Sequence, residues 1–92
     1  MREGYASRAV LGAAAVSVAV HAAHLRREMA RRGWECIDLA REAGLSQATI
    51  REALAGRRIA AKSLGLIALA LSRWPPLAGV DDLLFDDDVG LD

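Results

Sequence analysis

The side chains best equipped for chemistry fall between residues 47 and 62. Gln47, Thr49, Arg51 and Glu52 gather hydrogen-bond donors and acceptors into one short stretch. Arg57, Arg58 and Lys62 follow as a cationic group. Such a set suits recognition of a polar or anionic partner rather than bond making. The sequence holds no nucleophile–base pairing with supporting context, no glycine-rich phosphate loop and no clustered metal ligands, so no catalysis, cofactor or metal is expected. His21 and His24 have helical i, i+3 spacing but no third ligand, and read as surface residues. Cys36 is the single cysteine, so no internal disulfide can form. A reducing compartment fits that, and no basic cluster beside Cys36 in sequence marks it as a redox sensor.

The charge distribution sharpens the choice of partner. The formal net charge is zero, but between His21 and Leu64 nine bases stand against five acids, and after Pro75 there are six aspartates and no base. The chain is therefore a basic body with an acidic tail, an asymmetry that points to a polyanion. At 92 residues it suits one domain with a modest core. Hydrophobic residues make up 53% of it, which excludes compositional disorder. Ala and Leu dominate that fraction, and Tyr5, Trp34, Trp74 and Phe85 are the only aromatics. A compact helical bundle is the expected result.

Periodicity and breakers supply the elements that must position the polar stretch. A first helix is expected from His21 to about Arg32, with Ala22, Leu25 and Met29 inward and Arg26, Arg27, Arg31 and Arg32 outward, stopped by Gly33. Trp34 reads as a core or staple residue. A second helix, from about Cys36 to Ala43, takes its apolar contacts from Ile37, Leu39 and Ala40. Gly44 ends it, Leu45 plugs the turn, and Ser46 caps a third helix from Gln47 to Ala55. Ile50, Ala53 and Leu54 form that helix's inner stripe, so Gln47, Ala48, Thr49, Arg51 and Glu52 face out. Beyond Gly56, Arg57 and Arg58 make a basic loop. A fourth helix, Ala61 to Ser72, carries a core stripe of Leu64, Ile67, Ala68 and Leu71, with Leu66 and Ala70 beside it. Pro75-Pro76 forbids its continuation, and a short fifth turn from Val80 to Phe85 offers Leu83 and Leu84 to the core.

The run Asp38-Leu39-Ala40-x-x-Ala43-Gly44-Leu45-Ser46-x-Ala48-Thr49-Ile50, with Leu54-x-Gly56-Arg57-Arg58 after it, has the form of a helix-turn-helix. It resembles the Cro and lambda-repressor-like helix-turn-helix proteins, the XRE family, over about two thirds of the chain from His21 to Leu84. That resemblance implies an all-α fold, a five-helix lambda-repressor-like bundle whose third helix enters the major groove of DNA. Carried onto this chain, it implies base contacts from Gln47, Ala48, Thr49, Arg51 and Glu52. Gln47 would bond adenine, Ala48 and the Thr49 methyl would touch a thymine methyl, Arg51 would reach guanine or a phosphate, and Glu52 would accept from cytosine or pair with an arginine. Arg57, Arg58 and Lys62 would hold phosphates. The chain departs from the family pattern at three places. Glu35 and Cys36 stand where polar phosphate contacts are usual, and Ala60 and Ala61 replace the usual polar cap of the fourth helix.

Residues 1–20 form an apolar N-terminal arm. Ala9 to Val20 is too short to span a bilayer, and with Arg2, Arg8 and Val20-His21-Ala22 it loosely matches a secretory signal. A motif that must meet DNA downstream makes a retained arm in a cytoplasmic, nucleoid-associated protein the expectation. Tyr5 to Ala15 is Ala-rich and suits a helix weakened by Gly12, whereas Val16, Val18 and Val20 alternate as in a strand. Either form would pack on the bundle or a second subunit. The expected organisation is thus arm 1–20, helix-turn-helix domain 21–85 and solvated acidic tail 86–92. The implied function is a sequence-specific transcriptional regulator, a repressor of phage or mobile-element type, binding a palindromic double-stranded operator as a homodimer without a small-molecule ligand. A protein-interaction module with the same fold is the alternative, and Glu35, Glu52, the tail and the arm favour it.

Overall fold

The structure is a computed structural model that describes residues 16–84. The expectations for Tyr5 to Ala15, Phe85 and the 86–92 tail lie outside the described residues. In chain order the elements are β1 (Ser17–Ala19), α1 (Ala22–Arg31), α2 (Cys36–Ala43), α3 (Gln47–Leu54), β2 (Arg58–Ala60), α4 (Ala61–Arg73) and a 3-10 turn at Val80–Asp82. The described residues are mostly helical, but the expected all-α, five-helix bundle is corrected at two points. They hold four α-helices and a small two-stranded sheet, and the fifth helical element is a single 3-10 turn.

The sheet comes from residues that alternate in burial. β1 pairs antiparallel with β2 in the register Ser17↔Ala60, Val18↔Ile59 and Ala19↔Arg58. Val18 and Ile59 therefore share a face; Ile59 is buried and Val18 packs against the core. The alternation of Val16, Val18 and Val20 marked β1 in sequence. The Arg57-Arg58 loop hid β2, because one inward Ile between two outward residues is too short a pattern to register.

Each helix begins and ends for a local reason. His21 caps α1, its Nδ1 accepting the His24 backbone N–H at 3.1 Å, so this histidine is a structural cap rather than an idle surface residue. The Asp38 carboxylate accepts the Glu35 N–H at 2.8 Å at the start of α2. Gly44 closes α2 in the left-handed region, with φ 72°, a conformation that strains any residue bearing a Cβ. Ser46 Oγ accepts the Thr49 N–H at 3.1 Å and opens α3. α3 ends at Leu54, with Ala55 as its cap rather than its last residue.

The core is small: Leu25, Met29, Leu39, Ala40, Ala43, Ile50, Ala53, Ile59, Ile67 and Ala70. Leu39, Ile50 and Ile67 are its largest fully buried side chains. Trp34, Leu45, Leu54, Leu64, Leu66 and Leu71 pack around it. Three expected core contributors lie elsewhere. Ile37 is 48% exposed, because two residues before Leu39 is about 200° around the helix from it. Ala68 is exposed on α4, where Ile67 and Ala70 take the inward positions. Leu83 is 84% exposed, because the 3-10 turn is too short to carry it inward; Leu84 is half-buried.

Arg32 is the largest departure from the expected outward faces. Its side chain is only 8% exposed. The guanidinium donates to the backbone oxygens of Glu28 (2.8 Å), Leu71 (2.9 Å) and Trp74 (2.6 Å) and to Glu28 Oε1 (2.9 Å). The last carbonyls of a helix have no intrahelical donors, and a planar five-donor fork can serve several at once. Arg32 thereby ties the C-terminal end of α4 to α1. Beside it Arg31 makes a two-pronged pair with Asp81, at 2.8 and 3.1 Å, and pins the 3-10 turn. Arg31 also reaches Glu28 at 3.1 Å.

This network gives the fold an acid-sensitive edge. Burial pushes the Glu28 carboxyl up, but hydrogen bonds from Arg32 and Arg31, with their charges, bring it below its usual value. The hydrogen bond from Arg31 holds Asp81 below its own usual value. Both carboxyls bind protons more readily unfolded than folded, so they stabilise the fold above the usual carboxylate range and lose that effect as pH falls through the lowered values. The urea midpoint should fall on acidification below about pH 4, and more shallowly in Glu28→Gln and Asp81→Asn. A separate pair of variants tests the packing. Ile50→Ala should cost about 2–5 kcal/mol in urea unfolding, whereas Ile37→Ala should stay within about 0.5 kcal/mol.

Candidate nucleic-acid interface

α3 is braced from behind. It packs against α2, α1 and β2, with Ile50 and Ala53 fully buried between them. Arg26 Nη1 donates to the Leu54 backbone oxygen at 3.3 Å, steadying the C-terminal end of α3 from α1. Sequence reasoning missed this link, which joins residues 28 apart and has no local signal.

The outward side of α3 carries most of the expected base-contact residues. Ala48 and Arg51 are exposed, and Gln47 and Glu52 are half-buried near them. Gln47 Oε1 accepts from Arg51 Nη2 at 3.1 Å, the i, i+4 pairing of one helix face. Glu52 and Arg57 form an ion pair at 3.2 Å. Thr49 is half-buried and turned toward the cap, its Oγ1 3.0 Å from Ser46 Oγ. The structure thus brings Gln47, Ala48 and Arg51 together, joins Glu52 to Arg57, and sets Thr49 aside.

The expected phosphate residues divide in a similar way. Arg57, Arg58 and Lys62 are all exposed. Arg58, however, donates from Nε to Ser17 Oγ at 3.0 Å and from Nη2 to the Ser17 backbone oxygen at 2.6 Å. It stitches β1 to β2 as well as presenting charge. At the start of α2, Glu35 is exposed and Cys36 packs against the core as a free, half-buried thiol. Asp38 pairs with Arg41 at 2.8 Å.

Other chemistry finds little support. Among the described residues no group of three or more His, Cys, Asp or Glu side chains converges as a metal site. Among the same residues no helix is long and apolar enough to cross a membrane. An apolar groove of about 240 Å³ lies between α1 and α4, lined by Val20, Leu25, Leu64, Ile67 and Leu71, with no lining residue from α3 or β2.

Known proteins add no further constraint. No family model matches the chain, and no curated protein or solved structure matches it. The capping of α3 is open to direct measurement: Ser46→Ala should cost about 1 kcal/mol in thermal or urea unfolding, and Ser46→Asp, which keeps an acceptor, should recover most of it.

Proposed function

We propose that this chain is a sequence-specific DNA-binding regulator of the Cro and lambda-repressor-like kind, with α3 as its reading helix. The observation that carries this reading is the pairing of a capped, rigidly backed α3 with an outward Gln47, Ala48 and Arg51 face. A short helix held from behind by three elements can project side chains into a groove without losing its own packing. Lys62 and, beside its pairing with Glu52, Arg57 lie just beyond it in the chain and would grip phosphates, fixing register without reading sequence. Arg58 would do so only in part, because its guanidinium already holds Ser17.

One such helix reads a short half-site, so useful affinity calls for two copies about 34 Å apart on a palindromic operator. The apolar groove between α1 and α4, and the exposed Val16 and Leu69, are among the described apolar surfaces that a second copy could cover. Repression at the nucleoid in the cytoplasm, in a phage or mobile-element setting, is the role proposed for such a homodimer.

A second reading keeps the fold and binds a protein instead. The Glu52–Arg57 pair and the exposed Glu35 favour it, since they offset basic charge near α3. Fluorescence anisotropy with duplex DNA separates the two. The regulator reading expects saturable binding whose logarithm falls linearly with log salt. Lys62→Ala should then weaken all sequences alike and reduce the salt slope by about one. Absent or salt-insensitive binding to duplexes at low salt favours the protein partner.

A further inference from the structure

We infer that the reading face of α3 selects guanine, because the bond between Gln47 and Arg51 turns the glutamine oxygen to the guanidinium and leaves that pair to meet a base with donors. This rests on the DNA-binding reading above and narrows it to a base. A free glutamine amide offers one acceptor and two donors, which matches the N7 acceptor and N6 donor of adenine. Gln47 is not free in that sense: its Oε1 already takes the Arg51 Nη2 at 3.1 Å. The amide's orientation is dictated by chemistry, since a guanidinium has donors alone and only the oxygen can face it.

Two other polar groups on this surface are each turned to a neighbour. Glu52 Oε2 receives Arg57 Nη1 at 3.2 Å. The Thr49 hydroxyl lies against Ser46 Oγ at 3.0 Å. The Gln47–Arg51 pair then meets a base with the Gln47 amide nitrogen and the rest of the Arg51 guanidinium, all donors, beside the methyl of exposed Ala48. Guanine is the base whose major-groove edge sets two acceptors, N7 and O6, side by side. Adenine places a donor beside its acceptor and would meet donor with donor. Cytosine offers a donor, and thymine a single acceptor. The i, i+4 bond also limits the rotamers open to Arg51, so less freedom is lost on meeting the base.

The test is selection from random duplexes with the full chain, followed by anisotropy on the selected site and its variants. Guanine should be selected within each half-site, and adenine or 7-deazaguanine there should weaken binding on the order of tenfold. Arg51→Ala frees the Gln47 oxygen, so binding should weaken and preference should move from guanine toward adenine. Gln47→Leu should bind more weakly yet still select guanine through Arg51. Thermal melts confirm that both variants fold. Adenine selected by the unmodified chain, or guanine preference unchanged by Arg51→Ala, overturns the inference while leaving DNA binding intact. Failure to bind any duplex saturably at low salt overturns the DNA-binding reading and this inference with it.

Discussion

The burial of Ile50 and Ala53 against α2 is the contact on which the rest of the molecule depends. α3 has only eight residues, too few to be stable as a helix in water by itself. It exists because its inner stripe is locked into the core and its first turn is capped by Ser46. Gly44 allows the chain to reverse within a few residues, so that α2 and α3 can face each other across small side chains such as Ala40 and Ala43. The outward residues inherit their positions from that packing. Their usefulness is a consequence of what is buried on the other side.

The second constraint is electrostatic and lies away from α3. A core built largely of alanine, leucine and isoleucine in so short a chain leaves little stability to spare. Arg32, nearly buried, answers carbonyls at the end of α4 and a carboxylate on α1 at once. Arg31 adds the turn at Asp81. Near Trp74 the same end of α4 is also tied to α2, through Trp74 Nε1 to Glu42 Oε1 at 2.9 Å and Arg73 to the Glu42 backbone oxygen at 2.8 Å. These bonds hold the helices that back α3, so charged groups serve the scaffold as well as the surface.

Much of this was legible in the sequence because local rules govern it. Gly44, Ser46 and Pro75-Pro76 each have a local conformational meaning, and the extent of α2 followed from its apolar spacing and Gly44. The inner stripe of α3 followed from spacing alone. The parts that were not legible depend on distant partners. Nothing near Arg32 announces that α4 will bring carbonyls to it, and an arginine on an amphipathic helix reads as solvated. β2 is three residues long and exists because Val18 and Ser17 arrive beside it. The expected fifth helix failed for a simpler reason: Val80–Asp82 begins after a left-handed Gly79 and is rich in aspartate, which favours turns over helix interiors. At the candidate site, spacing placed Ala48 and Arg51 on the exposed side of α3, where the structure has them. The pairing of Gln47 with Arg51 depends on side-chain rotamers, which spacing does not give.

On the proposed function, the outward surface of α3 is where duplex DNA is met. Amide chemical shifts of the isotope-labelled chain, followed during titration with duplex DNA at low salt, address it most directly. The largest changes should cluster at Gln47–Glu52 and Arg57–Lys62, with smaller ones in the groove between α1 and α4. Changes confined to that groove, or none at all at saturating duplex, would contradict it.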